Sequence, residues 1–241
     1  MKFAIITDIH GNYEALKSVH KDIVKSNIDK IFCLGDIIGY GPEPEKVIEF
    51  IINNHIPCTF GNHELAIFDN RILNKFNTDA FESILITRKL ISKKSLEIIR
   101  NLPRFMSKDN ILFVHGCPDN NVTTYINYMS DYDLISVFLK LKTNICFVGH
   151  THKLKLYSYN GSEITKNDIF NCFKFLDKNH KHIVNAGSVG QPRDGNNKAK
   201  YVIFDNSNFS IETRLIPYDI KKTADMIIKL GFPKYNADRL L

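Results

Sequence analysis

The chain has 241 residues, of which 44% are hydrophobic and 24% charged, with 12 Gly and 8 Pro; that is the make-up of a globular protein with a sizeable core, not of a disordered, collagenous or coiled-coil chain. Its formal charge of +6 comes from scattered lysines without a basic block, so structured nucleic acid is not an expected partner. Apolar runs such as Phe3 to Ile6 fall far short of the roughly 18 residues that span a bilayer, so no membrane crossing is expected either.

Met1 to Ile6 carries one basic residue and a short apolar run that soon meets Asp8, too short for a signal peptide's apolar region, and reads as a first strand. Five cysteines, Cys33, Cys58, Cys117, Cys146 and Cys172, make an odd count without a C-x-x-C pair, which suits a reducing compartment; the expected location is the cytoplasm. Tyr13, Leu16, Val19, Ile23 and Val24 then recur at helical spacing, and Ile31 to Leu34 is again an apolar run, so the chain opens as βαβ. A second unit follows, Pro44 to Asn53 helical and Ile56 to Phe60 extended, and parallel strands should result. Residues 65–104 break the rhythm, because Thr78 to Asn101 holds two helical patterns with no strand between them; a helical insertion is expected there. Strand Ile111 to Val114, a helix over Asp131 to Lys142 and strand Ile145 to Val148 resume the alternation. Beyond Leu154, the runs Lys155 to Tyr159, Tyr201 to Phe204 and Phe209 to Ile216, separated by turn residues such as Asn160-Gly161, read as antiparallel strands. Asp219 to Leu230 is helical and stops at Gly231, with Pro233 beyond. No repeat or linker interrupts the pattern, so one α/β domain over residues 1–241 is expected.

The polar residues that can carry chemistry stand directly after the expected strands: Asp8-Ile9-His10, Gly35-Asp36, Gly61-Asn62-His63-Glu64, His115-Gly116 and Gly149-His150-Thr151-His152. In an open α/β sheet the carboxyl ends of the strands form the ligand crevice, so these five turns should converge. Extended backbone would put Asp8 with His10, and His150 with His152, on common faces. Two carboxylates (Asp8, Asp36), one carboxamide (Asn62) and four imidazoles (His10, His115, His150, His152) exceed a tetrahedral site and suit two transition-metal ions sharing a carboxylate. Two such ions, offset by the two carboxylates and a hydroxide, leave a net positive centre, which favours an anionic ester.

These blocks, D-x-H, G-D, G-N-H-E, a later His and G-H-x-H, occur in the order found in the calcineurin-like metallophosphoesterases, and the chain resembles that superfamily over residues 8–152. Asn185 to Arg193 (NAGSVGQPR) is similar to the asparagine-proline-glycine-serine loop of its small prokaryotic branch, with Ala186 in place of proline. The resemblance implies two packed mixed β-sheets flanked by helices, a four-layer αββα sandwich carrying the insertion at 65–104. It implies one metal held by Asp8, His10, Asp36 and His152, and a second by Asp36, Asn62, His115 and His150, with Asp36 bridging. It further implies that His63 binds no metal and faces the scissile phosphate, as a transition-state stabiliser or proton donor, and it leaves Glu64 without a role. The implied reaction is hydrolysis of a small phosphodiester or phosphomonoester by in-line attack of a metal-bridging hydroxide. Manganese is the expected ion, and iron, nickel or zinc also suit imidazole and carboxylate ligands. The insertion Leu65 to Arg104 and the loop Pro118 to Asp131 are the expected pocket walls.

Rival readings find no support. A cysteine phosphatase needs Arg six positions after its nucleophile, where Gly39, Glu64, Thr123, His152 and Lys178 stand instead. No phosphate-cradling G-x-x-x-x-G-K-[ST] loop occurs, and Gly39-Tyr40-Gly41 lacks the third glycine of a dinucleotide fingerprint. A non-catalytic scaffold of the same fold is the alternative from another class. His20, His55, His180 and His182 match no block and read as solvated loop residues, Cys117 as a buried spectator, and Gly39, Gly41 and Pro42 as loop formers. Arg193 either clamps a phosphate oxygen or pairs with Asp194 at the surface. Nothing is built on Tyr125, Tyr128 and Tyr132, whose near-helical spacing suits core packing as well as base stacking.

Overall fold

The computed structural model describes residues 1–118 and 121–241; Asp119 and Asn120, within the expected pocket wall Pro118 to Asp131, lie outside the described residues. The order is β1 (Lys2–Ile6), α1 (Tyr13–Lys25), β2 (Lys30–Cys33), α2 (Pro44–Asn53), α3 (Asn62–Phe68), α4 (Asn70–Leu73), α5 (Thr78–Leu90), α6 (Lys93–Arg100), β3 (Phe105–Lys108) and β4 (Ile111–Val114). There follow α7 (Asp131–Lys140), β5 (Ile145–Val148), β6 (Leu154–Tyr159), β7 (Ile164–Asp168), β8 (Phe173–Phe175), β9 (Lys181–Ala186), β10 (Ala199–Asp205), β11 (Ser210–Ile216), α8 (Ile220–Lys229) and α9 (Lys234–Asp238).

Two mixed sheets form, in the orders β2-β1-β10-β11-β8 and β3-β4-β5-β9-β6-β7. β1 runs parallel to β2, and β4, β5 and β9 run parallel to one another, while the remaining pairings are antiparallel. Both faces of β1 are covered, which is why its sequence is an unbroken apolar run. Phe3 and Ile5 point between the sheets, where they join Phe113, Phe147, Val184 and Phe204, whereas Ala4 and Ile6 pack outward with Leu16, Val19, Val47 and Ile48 of α1 and α2. An aromatic seam holds the sheets together: Phe32 stacks on Phe113 at 4.2 Å, and Phe147 lies 5.8 Å from Phe113 and 5.4 Å from Phe204. On the far side, Leu134, Val137 and Phe138 of α7 cover Val114, Cys146 and Ile183. The result is the expected four-layer sandwich, with helices α3 to α6 forming the insertion.

Three expectations are corrected. Ile56 to Phe60 is not a full strand: Pro57 has no N–H to give, and the segment keeps a single parallel bridge, Cys58 to Cys33, secured by Cys33 N–H to Pro57 O at 2.9 Å and Thr59 N–H to Cys33 O at 3.0 Å. His182 is not a solvated loop residue but lies within β9, 2% exposed and bonded to Ser158 across the sheet. His20 is helical, with its ring edge-on to Phe50 at 5.0 Å. Cys33, Cys58, Cys146 and Cys172 are free thiols, and Cys117 is buried. Among the described residues no helix is long and apolar enough to cross a membrane.

Candidate metal centre

The five polar turns meet where the parallel strands of both sheets end. Backbone bonds lock them together: Asp8 N–H to Gly35 O, His10 N–H to Asp36 O, and Gly149 N–H to His115 O. The sheets are joined across the site by His150 N–H donating to Asp8 Oδ2 at 3.0 Å. The Asn185 to Arg193 segment closes the floor, with Asn185 Nδ2 donating to Gly149 O and Ser188 Oγ to Asp8 O. Asn12 caps α1 and donates to Gly190 O, so the helix and this loop share one anchor.

The side chains form two adjoining clusters, Asp8 with His10 and His152, and Asp36 with His115 and His150. Asp36 Oδ2 lies between them, 3.2 Å from His115 Nε2 and 3.8 Å from His10 Nε2, and Asn62 Oδ1 is 3.0 Å from His115 Nε2. A third grouping, His10, Asp36 and His63, shows that His63 also offers a nitrogen within reach. All seven sequence-derived ligand candidates are thus brought together, but not by strand alternation. Asp8, His10, Asp36, His150 and His152 have φ of 52°, 50°, 49°, 66° and 59°, a left-handed conformation that is costly for these residues and clusters at functional sites. Those turns send His150 and His152 to different clusters, where extended backbone would have kept them on one face.

Hydrogen bonding fixes which ring nitrogens face the site. His10, His115 and His152 each place Nδ1 on a backbone carbonyl (Ile38, Leu34 and Gln191), and His150 places Nε2 on Thr123 O. A carbonyl only accepts, so each of these nitrogens holds the proton and the other ring nitrogen faces the site. His10 Nε2 and His152 Nε2 then lie 3.2 Å apart, as do His115 Nε2 and His150 Nδ1. Beside the first pair, Asp8 Oδ1 is buried without a hydrogen-bond partner, 3.3 Å from His152 Nε2. Nitrogen and oxygen atoms converging in this way repel unless a proton or a metal cation stands among them, and nitrogen and oxygen donors without thiolate suit a divalent transition metal.

Charge tells the same story. Burial pushes the Asp8 carboxyl up to about 7, and the Asp36 charge adds to it. Burial also holds His10 and His152 well below the ordinary imidazole value, and His150 down to about 3. Burial disfavours the His115 cation too, but the Asp36 charge and hydrogen bond, with Asp8 and Glu64 behind, together raise it to about 9. The site therefore draws positive charge next to Asp36, which a bound metal ion would supply.

Glu64 acquires a role here that its position in the motif does not reveal. Its Oε2 accepts the N–H of Asp36 and Gly61, both at 2.8 Å, and its Oε1 accepts those of Ile37 and Ile38 at 2.9 and 3.3 Å. The carboxylate thus shapes the turn that aims Asp36, whose Oδ1 in turn accepts His63 N–H. Burial raises Glu64 to about 7. Gly61 is required because a Cβ there would stand 2.2 Å from Asp36 Oδ1, and Gly39 because one would stand 2.1 Å from His63 Nδ1. Tyr40, also missed from sequence, has φ 47° and sets its ring 4.7 Å from both His10 and His63.

A cavity of about 410 Å³ opens on Asp36, Asn62, His63, His150, His152 and Arg193. His63 lines this cavity, its Nδ1 is buried against Gly39 without a hydrogen-bond partner, and burial lowers its imidazole to about 4. Arg193 does not pair with Asp194, which instead binds the buried Lys200 at 2.8 Å; its guanidinium lies 5.6 Å from the Tyr40 ring and its Nε is unpartnered.

The family model for calcineurin-like phosphoesterases matches residues 1–154. The chain belongs to the calcineurin-like phosphoesterase family. An uncharacterized protein of Methanocaldococcus jannaschii, MJ0912, is 36% identical to this family member over 248 residues, covering 98% of this chain and 96% of its own. The crystal structure of a metallophosphoesterase from Sphaerobacter thermophilus superposes with a TM-score of 0.84 at 30% identity, covering 100% of this chain and 98% of that one. The hypothetical protein PH1004 of Pyrococcus horikoshii shares the fold, with a TM-score of 0.80 at 19% identity over 99% of this chain and 97% of its own.

Proposed function

We propose that this family member is a single-domain, cytoplasmic, dinuclear metal-dependent phosphoesterase acting on a small phosphodiester or phosphomonoester. Asp8, His10, Asp36 and His152 would hold one ion and Asp36, Asn62, His115 and His150 the other, manganese being the expected metal. The observation that carries this reading is Asp36 Oδ2 standing between two pairs of imidazole nitrogens, each pair 3.2 Å apart. Bound there, two divalent ions supply Lewis acidity toward a phosphoryl oxygen and lower the pKa of the attacking water.

The chain's own groups do the rest. Arg193, unpartnered at Nε, holds phosphoryl oxygens with its planar fork. His63 lines the pocket as a neutral imidazole, and the negative charge of an arriving phosphate favours its protonated form. That proton stabilises the charge that builds on phosphorus or passes to the leaving ester oxygen. Recession of the centre keeps bulk water away, since Asp36, His63, His150 and His152 are only 1–4% exposed.

The test is hydrolysis of bis-p-nitrophenyl phosphate and of p-nitrophenyl phosphate by protein stripped with chelator and reloaded with manganese, iron, nickel or zinc. Activity should return with metal and disappear in Asp36→Asn and His115→Ala. Full activity in either variant would overturn the ligand assignment. No turnover with any metal would favour the non-catalytic scaffold.

A further inference from the structure

The cavity is not uniformly polar. Besides the phosphate-binding groups, Ile72, Phe76 and Ala80 of the helical insertion form an apolar wall, and Tyr125 contributes a second aromatic surface. Phe76 is half-buried with its ring 4.9 Å from His63, and Tyr125, 38% exposed, stacks on His150 at 3.9 Å. Each ring is therefore seated on an imidazole of the centre. Lys75, Asn77 and Thr123 line the same cavity and add polar atoms beside these apolar surfaces.

We propose that the substrate is a nucleotide-like ester, with its phosphate at Arg193 and His63 and a planar heteroaromatic ring against Phe76 and Tyr125. This rests on the phosphoesterase reading and names its substrate class. The cavity volume of about 410 Å³ lies in the range of sites for compact small molecules. A recessed centre disfavours the main chain of a folded phosphoprotein, and an acyl chain would strand the polar atoms of Lys75, Asn77 and Thr123. A flat ring bearing nitrogen and oxygen atoms satisfies both surfaces at once, because every base presents a π-face to stack and edge atoms to hydrogen-bond. Tyr125 and Phe76 are the specificity-determining residues.

The experiment compares esters that share a primary-alkyl leaving group: AMP, ribose 5-phosphate and glycerol 3-phosphate, and the methyl diesters of the same three, with metal-loaded protein. AMP or its methyl ester should exceed the baseless esters by about tenfold or more in kcat/KM, the scale of one base–aromatic contact. Phe76→Leu and Tyr125→Leu, which keep apolar bulk but remove the ring, should each lower that ratio several-fold, while Tyr132→Ala, 82% exposed on α7, leaves it unchanged. Calorimetric binding of AMP against ribose 5-phosphate is a second reading independent of turnover and should show the same preference. Equal rates and equal binding with and without the base would overturn the proposal while leaving the phosphoesterase standing. Absence of turnover in both series would overturn the phosphoesterase reading, and calorimetry showing no preference for AMP would then overturn this one as well.

Discussion

Replacing Glu64 by Gln tests whether a buried carboxylate shapes the Asp36 turn. In the native arrangement its two oxygens receive four backbone N–H bonds, from Asp36, Gly61, Ile37 and Ile38. A glutamine side chain is nearly isosteric but offers one oxygen, so its NH₂ must face two of those donors. A hydrogen bond to a charged group contributes about 1.5–3 kcal/mol, so losing two costs about 3–6 kcal/mol. Gln avoids burying a charge, which offsets part of this, and a net loss of about 2–4 kcal/mol is expected. For a chain of this size that lowers Tm by about 4–16 °C, at roughly 2–4 °C per kcal/mol. Thermal unfolding of the metal-free protein measures it, and elemental analysis of the reloaded protein should show metal affinity reduced about 10- to 100-fold, as for partners that orient a ligand. A Glu64→Gln protein that melts with the native one and binds metal equally would refute the assignment.

Three further outcomes are expected. Gly39→Ala would place a Cβ 2.1 Å from His63 Nδ1 at a φ of +86°, so phosphoester turnover should fall at least about 100-fold; native turnover would dismiss His63 as a participant. Asp22 is raised by burial but held below its ordinary value overall by the Tyr201 hydroxyl and the Arg214 guanidinium, so its contribution to stability is present above the unfolded value of 3.8 and is lost as pH falls through the lower folded value. Urea unfolding at pH 3 and pH 6 should accordingly show a smaller acid-induced loss in Asp22→Asn than in the native protein, and parallel losses would contradict this. Metal at 100 times its dissociation constant should stabilise the native protein by about 2.7 kcal/mol. That stabilisation should shrink in Asp36→Asn, and an unchanged metal-dependent rise in Tm would place the ions elsewhere.

Much of this protein is legible from local pattern. Phe3 to Ile6, Ile111 to Val114 and Ile145 to Val148 are apolar on both faces because they lie between two layers, so strand, position and the polar residue that follows each are written together in the chain. Five of the seven ligand candidates, Asp8, His10, His115, His150 and His152, follow these three strands, at whose carboxyl ends a ligand crevice forms. The edge strands β3, β7 and β8 are not legible: β7 (Ile164–Asp168) is almost wholly exposed, and only its register with β6 makes it a strand. His182 stands among lysines and asparagines that suggest a loop, yet β5 and β6 pair with β9 on either side and bury it.

What the sequence determined alone is the set of donors and their order, because those depend on residue type and strand periodicity. The resemblance already implies how the donors divide, and the tertiary structure supplies the physical reason. His150 and His152 are two positions apart in the chain, but positive φ at both, and the seating of one sheet against the other, send one to Asp36 and the other to Asp8. Glu64 bonds the backbone of Asp36 from 28 positions away. Such contacts arise only when distant turns are pressed into the same buried space, where every N–H and every carboxylate must find a partner.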